Sequence, residues 1–306
     1  MIGLPARERL ADLGYATGWQ LVRALPDPVA RGIADAAAGW AARGGGPEQL
    51  RRNLARVIGT DPDRVSAALM RASLQSYARY WREAFRLPTM DLPAVAARLD
   101  EVFIGAEHFA AAHAAGRGAV MALPHSGNWD MAGVWLAQNY GTFTTVAERL
   151  KPESLYDRFI EFRESLGFEV LPASGGDQPL MEVLGQRLRT NRFVCLMADR
   201  DLSRSGVPVQ FFGEPTRLPP GPAKLALETG APLHPAHVFY RGSDCVVQID
   251  EAIDTSSGDV GVITQALADR FATNIAAHPQ DWHMLQPLWL ADLSEQRRAR
   301  IAGDPI

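Results

Sequence analysis

A chain of 306 residues, 47% hydrophobic and 22% charged, holds enough apolar material for one substantial buried core. Its formal net charge of -4 argues against a nucleic-acid partner, which would call for a basic surface. Cys195 and Cys245 stand in apolar runs without disulfide-framework or ligand spacing, so both are expected as buried reduced thiols and no metal site is expected.

In chain order, Arg7, Glu8 and Arg9 occupy the place where a secretory signal needs an apolar segment. Ala6 to Leu25 has helical apolar spacing that Pro26 ends, and Gly44 to Gly46 reads as a break. Asp61 and Pro62 suggest a cap and first turn for a helix running through Val65, Leu69, Ala72 and Tyr80 toward Pro88. Trp19, Trp40, Tyr77, Tyr80, Trp81 and Phe85 lie near arginines, a composition that suits either a core or a membrane surface.

From about Val102 the pattern changes. Ala119 to Leu123, Phe143 to Ala147, Phe168 to Leu171, Phe193 to Ala198 and Leu233 to Tyr240 read as strands. Helices are expected between them at Trp129 to Asn139, Pro152 to Leu166, Pro179 to Arg189 and Gly221 to Glu228, and Val246 to Ile249 can return as a hairpin across Gly242. The fold class is therefore α/β, a mostly parallel central sheet flanked by helices with an N-terminal helical region. The expected organisation is a single domain, 1–306, with a helical region 1–98 packed on or beside an α/β core 99–306, acting as a monomer. The longest uncharged stretch, Met131 to Ala147, is short of the roughly 18 to 20 apolar residues that span a bilayer.

The residues Pro124-His125-Ser126-Gly127-Asn128-Trp129-Asp130 put a histidine and a carboxylate directly after a strand, at the edge where open parallel sheets bind ligands. Glu148 and Arg149, Ser174, and Asp199 and Arg200 follow other strand ends toward the same rim. An imidazole can take the proton of an attacking alcohol, and Asp130 is the expected partner fixing its tautomer. No Gly-x-Ser-x-Gly elbow is present, so direct attack on an acyl donor is the simpler chemistry.

These residues resemble the lysophospholipid acyltransferase superfamily in its bacterial lipid A biosynthesis branch. His125 to Asp130 matches an H-x4-D/E block; Ala198 to Asp201 with Gly206 to Glu214 matches a second block; Gly221 to Ala226 with Thr229 to Pro232 and Pro235 matches a third. Aspartate at 130 in place of glutamate, with the alanine- and arginine-rich sequence, is similar to actinobacterial enzymes that acylate phosphatidylinositol mannosides. The resemblance implies an acyl-CoA co-substrate with no cofactor, a mannose hydroxyl of a membrane glycolipid as acceptor, and a peripheral place on the cytoplasmic face of the plasma membrane. It implies His125 as base and Asp130 as orienter, with Glu148, Arg149, Arg163, Asp199, Arg200 and His283 around the acceptor. Phe211, Phe212 and the loop holding Arg217 are expected to border the donor channel. A thioesterase, another glycolipid acyltransferase and a non-catalytic lipid-binding protein are the alternatives.

Overall fold

Ala119–Leu123 (β1) is apolar at every position and buried throughout, as a strand covered on both faces must be. In the computed structural model, which describes residues 20, 22–149, 153–176, 178–201 and 203–302, β1 lies near the middle of a six-stranded sheet. The others are Thr144–Ala147 (β2), Glu169–Pro172 (β3), Phe193–Met197 (β4), Leu233–Arg241 (β7) and Asp244–Ile249 (β8). Their order is β3-β2-β4-β1-β7-β8, parallel except for the β7–β8 hairpin. The expected sheet and the hairpin across Gly242 are both present. Most of the helix expected over Ala6 to Leu25, and Pro152 at the expected start of another, fall outside the described residues.

Alternation along β1 divides the interior in two. Ala119, Met121 and Leu123 face a core with Tyr80, Trp135, Phe143 and Phe168. Val120 and Ala122 face another with Leu188, Phe211, Phe271, Trp282 and Trp289. The second includes the eighteen-residue helix Val260–Ala277, which buries Ile263, Leu267, Phe271 and Ile275 at successive four-residue steps and is capped by Asp259. The sequence reading left that segment unassigned. It likewise left Val207–Phe211 (β5) and Glu214–Leu218 (β6) without secondary structure; they form an antiparallel hairpin whose turn holds Phe212 and Gly213 at φ of 51° and 76°. Two consecutive left-handed residues match the twist of a tight hairpin.

The N-terminal helices include one correction. Asp61 does not cap the long helix: Pro62–Arg64 is a separate single turn, and Val65, with ψ of 120°, breaks the helical path. Ala67–Arg86 starts after Ser66, whose hydroxyl accepts the Leu69 amide at 3.1 Å. This helix lies against the sheet layer, placing Tyr80, Ala84 and Leu87 in the first core.

At the far edge, Glu169 on β3 ties together three elements. It accepts hydrogen bonds from Thr144 at 2.6 Å and from Arg187 at 2.7 and 2.9 Å, and it pairs with Arg192 at 3.1 Å. The Arg187 bonds hold its carboxyl down at about 2, against 4.5 for a free glutamate. Because the folded value is the lower one, the stabilisation is complete above about pH 4.5 and is lost as the pH falls through about 2. Glu169→Gln is expected to flatten that acid dependence in urea titrations followed between pH 2 and 6; an unchanged slope refutes the assignment.

Candidate active site

The register of β1 against β4 builds the site. Leu123 lies opposite Met197, and the Ala198 amide donates to the Leu123 carbonyl at 2.8 Å. Two residues beyond each strand end, His125 and Asp199 therefore meet. His125 Nδ1 lies 2.7 Å from Asp199 Oδ1, and Asp199 Oδ2 accepts the His125 backbone N–H and the Trp282 indole N–H, each at 3.0 Å. Asp199 is fully buried, and three donors compensate its lost hydration. A proton on Nδ1 satisfies that bond and leaves Nε2 as the basic nitrogen. Nε2 makes no hydrogen bond to the described residues, and the side chain is 40% exposed. Burial works against charging this imidazole, but the adjacent Asp199 carboxylate outweighs it and holds the pKa above 6.5.

The loop carrying His125 is held from below. Gly127 sits at φ of 56°, and a Cβ there would come within 2.5 Å of the Val238 carbonyl oxygen, so the position accepts only glycine. The Gly127 amide donates to the Asp281 carbonyl at 2.9 Å, the His283 amide donates to the His125 carbonyl at 2.7 Å, and Ser126 bridges Trp282. The segment from Asp281 to His283 is thus a clamp on residues 125 to 127.

Asp130 is not the partner of His125. The helix Trp129–Tyr140, capped by Asn128, carries it into the first core, where Oδ1 accepts Arg163 Nε at 2.9 Å and Oδ2 accepts the Tyr80 hydroxyl at 3.0 Å. Both its oxygens are engaged away from the imidazole. The acid set against the imidazole is Asp199, which the sequence places with Arg200 around the acceptor. Arg200 instead donates to the Pro287 carbonyl at 3.0 Å.

Glu148 stands exposed beyond β2, near enough for its charge to favour protonated His125 and charged Arg200. Arg149 turns aside toward Glu153, at 3.6 Å, and the Gly175 carbonyl. His283 is buried, with Nε2 2.9 Å from the Ser76 hydroxyl, which in turn donates to Asp281 at 2.6 Å. Ser76 thus accepts from Nε2–H, and burial, reinforced by His125, pushes the His283 pKa down to about 3. His283 is a neutral strut.

Phe211, expected in a donor channel, is packed in the second core against Trp289, whose indole donates to its carbonyl at 2.9 Å. Phe212 packs on Trp289 at the hairpin turn. Arg217 Nη1 donates to the Gly206 carbonyl at 2.8 Å and braces the loop after β4. None of the three is in the wall of the apolar cavity on the other face of the sheet, and the hairpin packs instead on the C-terminal segment. That cavity is bounded by Met121, Leu136, Phe143, Cys195, Val247 and other apolar side chains, with Trp129, Asp130 and Arg163 also in its wall. Trp129 stands edge-on to His125, ring centroids 5.7 Å apart, so one side chain of the cavity wall also touches the imidazole.

Tyr80, Trp282, Ser76 and Asp281 were not singled out as site residues from the sequence. The signal available for Trp282 and Asp281 was their position beside His283; Tyr80 and Ser76, four apart on one helix face, carried none. Among the described residues, no three His, Cys, Asp or Glu side chains are grouped to hold a metal ion.

Removing Asp130 strands a buried guanidinium. Asp130→Ala is expected to cost about 3–5 kcal/mol of stability, and Asp130→Asn less. His125→Ala removes one of the three donors to buried Asp199 and is expected to cost less, about 1–3 kcal/mol, and equal melting temperatures for Asp130→Ala and the parent chain would refute the structural role.

The family model of bacterial lipid A biosynthesis acyltransferases matches residues 7–291. The phosphatidylinositol mannoside acyltransferase of Mycolicibacterium smegmatis is 65% identical over 298 residues, 97% of each chain. Two Mycobacterium tuberculosis proteins of that name, from strains CDC 1551 / Oshkosh and H37Rv, are each 66% identical over 290 residues, 95% of this chain and 92% of theirs. With a histidine and a buried carboxylate paired at the sheet's edge beside an apolar cavity, this chain belongs to the bacterial lipid A biosynthesis acyltransferase family.

Proposed function

We propose that the protein transfers a long-chain acyl group from acyl-CoA to a mannose hydroxyl of a phosphatidylinositol mannoside, with His125 as general base and Asp199 as its orienting partner. The observation that carries this reading is the adjacency of an open imidazole nitrogen, backed by a buried carboxylate, to an apolar cavity across Trp129. The mannoside acceptor rests on the names of the mycobacterial relatives.

In this mechanism the acyl chain lies in the cavity with its thioester carbon beside His125. Nε2 takes the proton of the sugar hydroxyl as its oxygen bonds to the carbonyl carbon. Asp199 fixes the Nδ1–H tautomer and stabilises the imidazolium that forms. The protonated ring then returns its proton to the departing thiolate. Transfer is direct, without an acyl-enzyme. Of the neighbouring nucleophiles, the Ser126 hydroxyl is engaged with His237 Nδ1 at 3.1 Å, and burial pushes both cysteine thiols far up from reactive values.

In this proposal the reaction runs at a membrane surface, on the cytoplasmic side. No helix among the described residues is long and apolar enough to cross a membrane. The helix Asp27–Ala41 exposes Val29, Ile33 and Trp40 at 47, 55 and 71%, and their spacing puts them on one face.

His125→Ala is expected to lower transfer about 10²–10⁴-fold with the fold intact. Asp199→Asn is expected to lower kcat to a similar degree. Because Asp199 holds the His125 pKa up, its removal moves the acid limb of the pH–rate profile to lower pH. A limb that stays in place refutes the pairing. Released fatty acid, weighed against acylated acceptor in the same assay, tests the alternative of hydrolysis; hydrolysis dominating with acceptor present overturns the proposed reaction.

A further inference from the structure

The acyl cavity accounts for one end of an acyl donor. Its other end is a nucleotide carrying several phosphates, and a second concavity has the chemistry to receive them. It holds about 820 Å³ of space, mouth included, between the loop after β4 and the helix Glu295–Ala302. Its wall is Ser203, Arg204, Ser294, Gln296, Arg297 and Arg300 with the edge of Ile301, and no carboxylate is among the described residues that line it.

The three arginines are exposed, and none has an ion-pair partner among the described residues. Arg204 Nε donates to the Arg300 carbonyl at 2.8 Å, joining the loop to the helix and bringing the guanidinium groups into one concavity. Asp201, a carboxylate on the same loop, accepts the Ser203 amide at 3.0 Å and closes its own turn, and Glu295 on the helix is not among the wall residues. Like charges gathered in one concavity repel, a cost that a polyanion relieves. The planar fork of each guanidinium also matches phosphate oxygens two at a time.

Arg200 connects this concavity to the imidazole. It follows Asp199 directly, is anchored by Nε to Pro287, and lies within electrostatic reach of both His125 and Arg297. A donor reaching from Arg297 past Arg200 to His125 has its phosphates at one end and its thioester at the other. The acceptor lipid suits the concavity less well, since its single phosphodiester lies close to the sugar that must meet His125.

We propose that Arg204, Arg297 and Arg300 form the binding site for the phosphates of the nucleotide that carries the acyl group. The proposal rests on the reading of acyl-CoA as donor. The double variant R297Q/R300Q, made in the full chain, tests it with palmitoyl-CoA, with palmitoyl N-acetylcysteamine, which lacks the nucleotide, and with direct titration of CoA and 3′-dephospho-CoA. The expected result is a rise of at least about tenfold in both the KM for palmitoyl-CoA and the Kd for CoA, a smaller change for 3′-dephospho-CoA, and no change in KM for the truncated thioester. Unchanged CoA binding and KM overturn the proposal. If binding to phosphatidylinositol-containing vesicles falls instead, the arginines serve a lipid surface and the proposal is equally overturned. If the wild-type chain transfers acyl groups from neither thioester, the donor reading itself fails, an outcome distinct from failure of the arginine site alone.

Discussion

A buried carboxylate must be compensated where it lies, and Asp199 is compensated by groups from two other parts of the chain. The amide and ring of His125 approach from the end of β1, the Trp282 indole from the C-terminal segment, and Asp199 itself from the end of β4. Loss of any donor leaves a charge in the interior, so the sheet register, the loop and the clamp are fixed by one group. The same carboxylate sets the chemistry of the ring above it, since it holds the imidazole tautomer and raises its pKa.

A second buried acid organises the opposite side. Asp130 binds Arg163 and Tyr80, and so ties the helices Glu153–Ser165 and Ala67–Arg86 to the helix that starts beside His125. Further bonds run from Ala67–Arg86 to the core: Ser76 reaches Asp281, and Glu83 accepts from Asn128 and Tyr240, each at 3.1 Å. This N-terminal helix is thereby part of the site's wall. The two aspartates divide the labour: one faces the His125 imidazole, and the other helps hold the wall of the apolar cavity.

Much of the fold was legible because its signals are local. Continuous apolar runs marked β1, β4 and β7, and the punctuation by Gly221, Pro222 and Gly230 marked the helix Gly221–Thr229. Val260–Ala277 escaped because alanine and threonine dilute its apolar stripe. The β5–β6 hairpin escaped because Pro208 and Pro215 lie inside strands exposed at alternate positions.

The candidate site divides along the same line. Residue order alone puts His125, Glu148 and Asp199 just past strand ends, because where a strand stops is written in its immediate neighbours. It also gives Asp130 the nearest place to His125 along the chain, and that nearness misleads: the helix beginning at Trp129 turns Asp130 into the core. Which acid faces the imidazole follows from β4 lying beside β1, although two strands and three helices separate them in the chain. That adjacency comes from helices packing on both faces of the sheet, a sum of long-range contacts that no local pattern encodes.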